Sequence, residues 1–502
     1  MILAPLLAAL FAIFPLTDTD IWWHLACARE WVTAWTPVRG PAVNVHEYFE
    51  QVVYAAYSLG GAPLLVAIKS VLWGSIFALF MEPAGKLRGR GWLAGNLCGP
   101  VAVAVAAFYL FVFRFQMEMR PVVFTLLFLG IYWRVVPWLL ARFVSSDKRI
   151  SGDKSVVARM KICLVAVLLL ALQWVWCRFQ GLYILGPLFV LLCASNVLWK
   201  ARKGGSAVLG RREIVPVALL VALFFAMPFL HKDGVALFLY PFGLLDRLLG
   251  ITLSAAVFAS EIAENRSPLT LLVAGENVLV AAFMLVVVLA SLLHSLTGLF
   301  KYRRDFVLNV SLSVTAVLTL VAERNFVLLL PLFIAVLCSA RQGVIRMPNS
   351  ARLNSVLRVS SVILIAFLLG FWAKSLAAYD RHMVACQRVP VKAAEWMASH
   401  PHDGRLFNDD RAGGYLAFVN PADSIYMDGR FILKTADFFE RYLRYARDPA
   451  AFLHDADSLG VDRAVFPLRF YARWGSLLVA LGQSSEWASC YVDEFYIVFC
   501  RK

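Results

Sequence analysis

Charged side chains are scarce in this sequence. Asp, Glu, Lys and Arg make up 16% of the 502 residues, whereas 61% of the residues are hydrophobic. Water-soluble domains carry about 25% charged residues, so this composition excludes a soluble globular protein, which would lack a polar surface. The apolar residues gather in runs that approach the roughly 20 residues a membrane-spanning helix needs. The composition therefore predicts a polytopic α-helical membrane protein.

The cysteines lack the spacing that indicates a metal site or a disulfide framework. The chain has nine of them, spread from Cys27 to Cys500. Cys490 and Cys500 fall in one strand hairpin near the C-terminus, but the register suggested by the sequence does not pair them. We therefore predict no disulfide.

About eleven apolar runs are candidates for membrane spans. The first has no basic residues before it and no small-residue cleavage site, which favours a retained span over a signal peptide. The fifth and sixth are short, and the sequence leaves open whether they cross the bilayer fully or form a partial helical hairpin. The predicted spans lie near residues 1–16, 62–81, 92–113, 122–141, 162–176, 182–199, 214–230, 270–298, 306–322, 326–340 and 359–373.

Basic residues concentrate in alternate loops between these spans. The five loops contain 21 Lys and Arg against five acidic residues, which accounts for the whole net charge of +15. Such loops stay in the cytoplasm, so the excess is a topology signal and no nucleic-acid partner is expected. In a bacterium this predicts a multi-pass protein of the cytoplasmic (inner) membrane. The loops are 82–91, 142–161, 200–213, 301–305 and 341–358.

Residues 374–502 differ in kind from the apolar runs that precede them. Strand-like pieces such as VDRAVFPL alternate with helix-like pieces such as VKAAEWMASH, an alternation typical of βαβ units. We predict a transmembrane domain over residues 1–373, with long outer loops at 17–61 and 231–269. An α/β domain over residues 374–502 follows it in the periplasm.

Two acids, two tryptophans and a histidine crowd the outer end of the first span. The segment PLTDTDIWWH contains Asp18, Asp20 and His24. An aromatic belt at the membrane interface explains the tryptophans. Acidic groups at a membrane boundary are costly unless water, a metal or a cation meets them, which favours a functional site over a solvated helix end.

This segment resembles the beginning of the GT-C superfamily of integral-membrane glycosyltransferases, which use lipid-phosphate-linked sugars. DTDIWWHLACAREWV is similar to the pattern D-x-D-x-W-W-H-x-x-x-G-x-x-[IL] of a bacterial GT-C-like group, with Ala28 in place of the glycine. The oligosaccharyltransferase signature W-W-D-Y-G is absent. Similar segments follow in the same order: NVHEYFEQVVYAAYSLGG (44–61), EMRPVVFTLL (118–127), WCRFQGLYILGP (176–187), IAENRSP (262–268), ERNFVLLLPL (323–332), and GRLFNDDRAGGYLAF with SIYMDGR (404–430).

The resemblance implies a GT-C-like fold and a transferase. A sugar would pass from a polyprenyl-phosphate-linked donor to a glycan, lipid or protein acceptor at the periplasmic face. Asp20 would be the first catalytic carboxylate and Asp18 the second, acting as a general base or as a ligand of Mg²⁺ or Mn²⁺. Glu118 would be the other metal ligand, with a salt bridge to Arg114 or Arg120 as an equal alternative.

Cations and further polar groups complete the predicted site. Arginine suits phosphate, but Arg324 could instead pair with an acid such as Glu323, and an interfacial His24 could bond a backbone carbonyl. The stretch around Asp409 could equally be a βα turn with a helix N-cap. The candidates for the donor phosphate are Arg324, Arg120, Arg178 and His24. The candidates for the acceptor are Glu47, Asp409, Asp410, Tyr415, Asp428 and Arg430.

Two other classes of function remain open. A transporter or flippase usually has internal repeats and charges along a central pathway, whereas this sequence has no repeat and only Lys69, Arg134 and Glu276 scattered within or near spans. A non-catalytic subunit of an envelope glycan assembly would tolerate mutation of the acids. The outer loop 231–269 is expected to contain an amphipathic helix at the membrane interface, which the resemblance places beside the lipid donor.

Overall fold

The computed structural model describes residues 2–30, 34–37, 43–81, 92–144, 153–203, 211–302, 305–338, 351–469 and 472–502. The basic loop 82–91 and parts of the other four basic loops lie outside the described residues, so the orientation of the chain in the membrane stays a prediction.

Helices dominate the described part of the chain. The helices are α1 (Leu3–Phe11), α2 (Asp20–Arg29), α3 (Glu47–Phe80), α4 (Trp92–Val112), α5 (Val122–Val144), α6 (Asp153–Trp176), α7 (Leu185–Lys203), α8 (Arg211–Ala226), α9 (Gly234–Leu249), α10 (Leu253–Glu261), α11 (Pro268–Val273), α12 (Val278–Leu296), α13 (Phe306–Val321), α14 (Phe326–Leu337), α15 (Ala351–Ala378), α16 (Val391–Ser399), α17 (Asp410–Val419), α18 (Ala436–Arg447), α19 (Pro449–Ser458) and α20 (Gly475–Gln483).

Six helical segments among the described residues are long and apolar enough to cross a membrane. They include residues 159–176 and 181–202, so each half of the predicted hairpin is long enough to cross by itself. A seventh span is possible if two helical segments, 214–230 and 234–249, bent by 104°, are one broken span. These helices fit the prediction of a helical membrane protein, whereas the count of eleven spans is not established.

One predicted span, 326–340, contains a helix that is enclosed by other parts of the protein. Helix α14 has twelve residues, and all of them except Ala335 are buried. A helix enclosed by its neighbours is apolar on every side whether or not it spans the bilayer. The predicted span 270–298 also begins late: α11 ends at Val273, and α12 starts at Val278 after Gly275 and Asn277 take left-handed conformations.

Helix α3 is broken at a pair of glycines, directly before the second predicted span. Gly60 and Gly61 have non-helical backbone angles, and the φ of Gly61 is +63°, which glycine adopts without strain. The break falls at the predicted start of the span at residue 62. The preceding residues, 47–59, are helical, although the sequence analysis assigned them to a loop.

The C-terminal segment forms a four-stranded sheet flanked by helices. The strands are β1 (Arg405–Asn408), β2 (Val461–Pro467), β3 (Trp487–Val492) and β4 (Tyr496–Arg501), in the order β1-β2-β4-β3. β1 and β2 run parallel, and the other neighbours run antiparallel. The alternation of strands and helices was therefore predicted correctly.

The prediction of no disulfide is wrong. Cys490 and Cys500 are bonded across the β3–β4 hairpin, with their Cα atoms 5.9 Å apart. The register shifts between Ser489 and Tyr491. This bulge moves Cys490 out of the regular pairing on which the sequence argument depended.

The first outer loop is bonded to the C-terminal segment at two places. The Leu16 N–H donates to the Met383 carbonyl at 2.9 Å, and the Trp35 N–H donates to the Ile425 carbonyl at 3.2 Å. Lys434 reinforces the second place by donating to the Thr36 hydroxyl at 2.6 Å. These bonds hold α2, which lies between Leu16 and Trp35, against the C-terminal segment.

Candidate functional site

Glycines allow α2 to lie directly on the C-terminal segment. A Cβ atom at Gly414 would come within 2.9 Å of the Trp23 backbone nitrogen, and one at Gly429 would overlap Oδ1 of Asp20. A Cβ at Gly413 would overlap the Met427 carbonyl oxygen. The glycines of AGGY and MDGR are therefore explained by close backbone approach. They bring residues 408–430 next to the acidic segment 18–24.

Asp18 belongs to an ion-paired group. Its Oδ1 accepts a hydrogen bond from Arg120 at 2.9 Å, and Arg120 also donates to both carboxylate oxygens of Glu264, at 2.9 and 2.8 Å. Oδ2 of Asp18 is buried and has no hydrogen-bond partner among the described residues. The structure thus brings together two predicted site residues, Asp18 and Arg120, and adds Glu264.

Asp20 differs from Asp18 in having no ion pair. No Lys, Arg or His nitrogen of the described residues lies within 4 Å of its carboxylate, and the residue is partly exposed. Burial, followed by the negative charge of Asp18, raises the pKa of Asp20 to about 7. This carboxylate therefore exchanges its proton near neutral pH, as a general base must.

Glu118 is held by neighbours on both sides. One carboxylate oxygen lies 3.4 Å from Nζ of Lys69, a fully buried cation of α3, and the other accepts a hydrogen bond from the Thr17 hydroxyl. The Trp73 indole N–H donates to the Glu118 carbonyl at 3.3 Å. The expected salt bridge of Glu118 is present, but its partner is Lys69 and not Arg114 or Arg120.

His24 lies in a buried cluster of polar groups. Its Nδ1 is 3.3 Å from a carboxylate oxygen of Glu50, whose other oxygen accepts from Asn44 at 2.7 Å. The rings of His24 and His46 are 5.1 Å apart, edge to face. Burial, followed by the charge of Arg430, lowers the pKa of His24 well below its usual value, so the imidazole is neutral at pH 7.

Asp428 and Arg430 form a buried ion pair. Arg430 donates to Asp428 through Nε and through Nη2, which is 2.7 Å from Oδ2. The guanidinium carbon also lies 5.7 Å from the centre of the Trp23 ring. The structure therefore places two predicted acceptor residues beside the acidic segment of α2.

Arg178 and Glu47 lie together in a different ion-paired group. Arg178 is 2.6 Å from Asp233 and 3.5 Å from Glu47, and it also donates to the Asn44 carbonyl. Its side chain is buried, and these three partners occupy much of its hydrogen-bonding capacity. The contacts connect the loops before α3, after α6 and before α9.

Two arginines lie near the acids, and neither has a carboxylate oxygen of the described residues within 4 Å. Arg324 is exposed and donates to the Asn265 side chain at 2.9 Å. Arg388 donates to the Thr17 carbonyl at 3.2 Å. Arg388 was not predicted as a site residue, because it lies in the irregular segment after α15 and only tertiary contacts bring it beside residue 17. Lys69 and Glu50 were not predicted as site residues either, since their partners are also far away along the chain.

The remaining acceptor candidates have structural partners. Asp409 is fully buried, caps α17 by accepting from the Arg411 N–H at 3.0 Å, and accepts from Trp474 at 2.7 Å. Asp410 bonds the Tyr442 hydroxyl at 2.7 Å. Tyr415 packs its ring 4.8 Å from that of Trp22. The N-cap alternative considered for Asp409 is the one observed.

Few carboxylate oxygens of the predicted metal ligands are left without a protein partner. The described residues contain no group of three or more His, Cys, Asp or Glu side chains that could hold a metal ion. Of the predicted ligands, Glu118 has both oxygens engaged by Lys69 and Thr17. The carboxylate oxygens left for a cation are those of Asp20 and Oδ2 of Asp18, so ligation by Asp20 and Glu118 stays a prediction.

The sequence was also compared with known proteins. No protein-family model and no curated protein matches the chain. The functional conclusion therefore depends on the residues and the geometry described above.

Proposed function

We propose that this protein is a membrane glycosyltransferase of the GT-C type. It would transfer a sugar from a polyprenyl-phosphate-linked donor to an acceptor at the periplasmic face of the bacterial inner membrane. The acceptor class is a glycan, a lipid or a protein. Its partners would be the lipid-linked sugar, which the resemblance implies, and the membrane lipids around the apolar helices.

The observation that carries the proposal is the state of Asp20. Its carboxylate is partly exposed, lacks an ion pair among the described residues and has a pKa raised to about 7 by burial and then by Asp18. A general base works best when its pKa lies near the working pH. Asp20 in this role removes the proton of the acceptor hydroxyl or amide as that group attacks the anomeric carbon.

The surrounding arginines support binding of the donor phosphate. Arg324 has the strongest case, since it is exposed and its one described hydrogen bond goes to the neutral Asn265 side chain. Arg120 is shared between Asp18 and Glu264, so it contributes positive charge next to Asp20. Arg178 is engaged by Asp233 and Glu47, and neutral His24 offers a hydrogen bond without charge.

The Asp428–Arg430 pair supports an acceptor site formed by the C-terminal segment. Arg430 lies beside Trp23, and Gly429, between the two paired residues, lies close to Oδ1 of Asp20. A Mg²⁺ or Mn²⁺ ion at Asp20 would neutralise charge on the phosphate leaving group. The disulfide between Cys490 and Cys500 also suits an oxidising compartment such as the periplasm.

The test is an assay of carrier-linked sugar with purified protein. Wild type, Asp20→Asn and Asp18→Asn are each incubated with lipid extract from the same cells, and the loss of carrier-linked sugar is followed by mass spectrometry. Removing a general base lowers rates by about 10²–10⁴-fold, and we expect this for Asp20→Asn in protein with an unchanged melting temperature. Parallel reactions with a chelator separate metal-assisted transfer from simple base catalysis.

Retained turnover in Asp20→Asn would remove the main support for the transferase. A wild type that moves lipid between leaflets without consuming sugar would favour the flippase. If neither activity appears and both variants match wild type, the non-catalytic subunit becomes the better interpretation.

A further inference from the structure

Arg388 lies at one end of the chain of ion pairs that joins Asp18, Arg120 and Glu264. Its Nε donates to the carbonyl of Thr17, the residue directly before Asp18, at 3.2 Å. Its two terminal nitrogens make no hydrogen bond with the described residues. Burial, followed by the charge of a neighbouring arginine, lowers the pKa of Arg388. This is the direction expected for a partly buried cation that lacks an anionic partner.

Arg324 lies at the other end of the same chain of ion pairs. Its Nη1 donates to the side chain of Asn265, the residue directly after Glu264, at 2.9 Å. Its Nε and Nη2 make no hydrogen bond within the described part of the chain, and the residue is exposed. Burial opposes the ionisation of Glu264, yet the charges of Arg120 and of both outer arginines lower its pKa to about 2. All three guanidinium groups therefore lie within electrostatic reach of one carboxylate.

The three arginines differ in what they can still bind. Arg120 is engaged by two carboxylates, whereas Arg324 and Arg388 each keep two nitrogens for a ligand. Arg324 directly precedes the apolar helix α14, and Arg388 follows the candidate span that ends at Ala378. A lipid whose tail lies in the bilayer presents its phosphate at the level of such helix ends. Guanidinium groups suit phosphate oxygens because their N–H donors form a planar fork.

We infer that Arg324 and Arg388 hold the two phosphate groups of a diphosphate, so that the carrier lipid of the donor bears a diphosphate and not a monophosphate. The inference rests on the proposed function for its catalytic meaning, but the binding is a property of the folded chain. One guanidinium pairs with each phosphate. A monophosphate would leave one of the two arginines without an anion.

The same pairing serves the departure of the carrier. As the acceptor attacks, its oxygen or nitrogen bonds to the anomeric carbon and its proton passes to Asp20. The bond between that carbon and the oxygen of the sugar-side phosphate breaks, and the polyprenyl diphosphate leaves with the electron pair. The leaving group gains negative charge in this step, and two arginines without carboxylate partners stabilise that charge.

The experiment measures lipid binding and requires no turnover. Purified protein in detergent is titrated with undecaprenyl diphosphate or with undecaprenyl phosphate, and native mass spectrometry counts the bound lipid. A chelator is present, so that no divalent ion contributes to binding. Loss of a hydrogen bond between charged groups lowers affinity about 10- to 100-fold. We therefore expect wild type to bind the diphosphate at least about tenfold more tightly than the monophosphate.

Substitution of either arginine should remove most of this preference. Arg388→Gln and Arg324→Gln each leave a single guanidinium for the lipid head, so the two lipids should bind with nearly equal affinity. Arg381→Gln is the matched control, because Arg381 is exposed in the same segment as Arg388 and has no described hydrogen bond. Its preference for the diphosphate should equal that of wild type. An unchanged melting temperature shows that each variant is folded.

Two results would overturn the inference. One is a wild type that binds the two lipids equally or prefers the monophosphate. The other is an unchanged preference in folded Arg388→Gln or Arg324→Gln, since a merely structural role changes both affinities by the same factor. Arg324 is exposed, so its variant keeps the test decisive even if Arg388→Gln does not fold. Failure of the transferase proposal gives a different result, namely normal turnover in Asp20→Asn, whatever the lipid binding shows.

Discussion

Two acidic segments, residues 17–20 and 408–410, begin neighbouring helices and yet serve different purposes. Burial, followed by an adjacent aspartate, raises the pKa of both Asp20 and Asp409 to about 7. Asp409 is fully buried, and it accepts from a backbone N–H and from Trp474. Asp20 is partly exposed and has no ion pair in the described part of the chain.

The comparison teaches that a shifted pKa does not by itself identify a catalytic group. Electrostatic surroundings that favour a proton arise in helix caps as well as in active sites. Partners distinguish the two residues: both oxygens of Asp409 accept hydrogen bonds that belong to the fold, whereas the Asp20 carboxylate, for which we propose a role in catalysis, has no ion pair among the described residues. Changing either residue or its surroundings tests this contrast.

The largest expected effect is on stability, at Asp409. Asp409→Ala removes the cap of α17 and leaves the buried Trp474 N–H without an acceptor, so we expect a loss of about 2–4 kcal/mol in the free energy of unfolding. Arg411 and Trp474 donate to different oxygens of Asp409, so Asp409→Asn keeps an acceptor for one of the two donors and should cost less than Asp409→Ala. Denaturant unfolding of the purified chain measures both, and equal losses would contradict the capping role.

A smaller effect is expected at the contact between the two segments. Gly429→Ala puts a methyl group against Oδ1 of Asp20, which displaces the carboxylate and should lower transfer about tenfold, equivalent to about 1.4 kcal/mol in activation energy. Gly482→Ala is the matched control, because a Cβ there meets no atom within 4 Å. If the two variants have equal rates, the position of Asp20 relative to residue 429 has no catalytic importance.

An effect of about the same size is expected in the pH dependence of wild type. Because the pKa of Asp20 is raised to about 7, its base form is a minority at pH 6 and a majority at pH 8. Transfer should therefore rise about tenfold between pH 6 and 8 and then level off. Asp409→Asn should show the same midpoint as wild type, and a midpoint near pH 4 would contradict the environment described for Asp20.

The sequence predicted the membrane character and the alternating strands and helices after residue 374. These features depend on local runs and on short distances along the chain. The disulfide was missed because a one-residue bulge at Cys490 changes the pairing. Asp409, named as an acceptor residue, is a helix cap, and only the position of Trp474, 65 residues away, reveals its second partner.

What the sequence determined by itself is the apolar, helical character of the chain and the presence of two acids at the end of the first run, because hydrophobic length and local charge are properties of consecutive residues. The tertiary structure decided which acid is paired. Arg120, Glu264 and Lys69 come from three separate segments, and a charge becomes costly or useful only according to the groups that folding brings within a few ångströms.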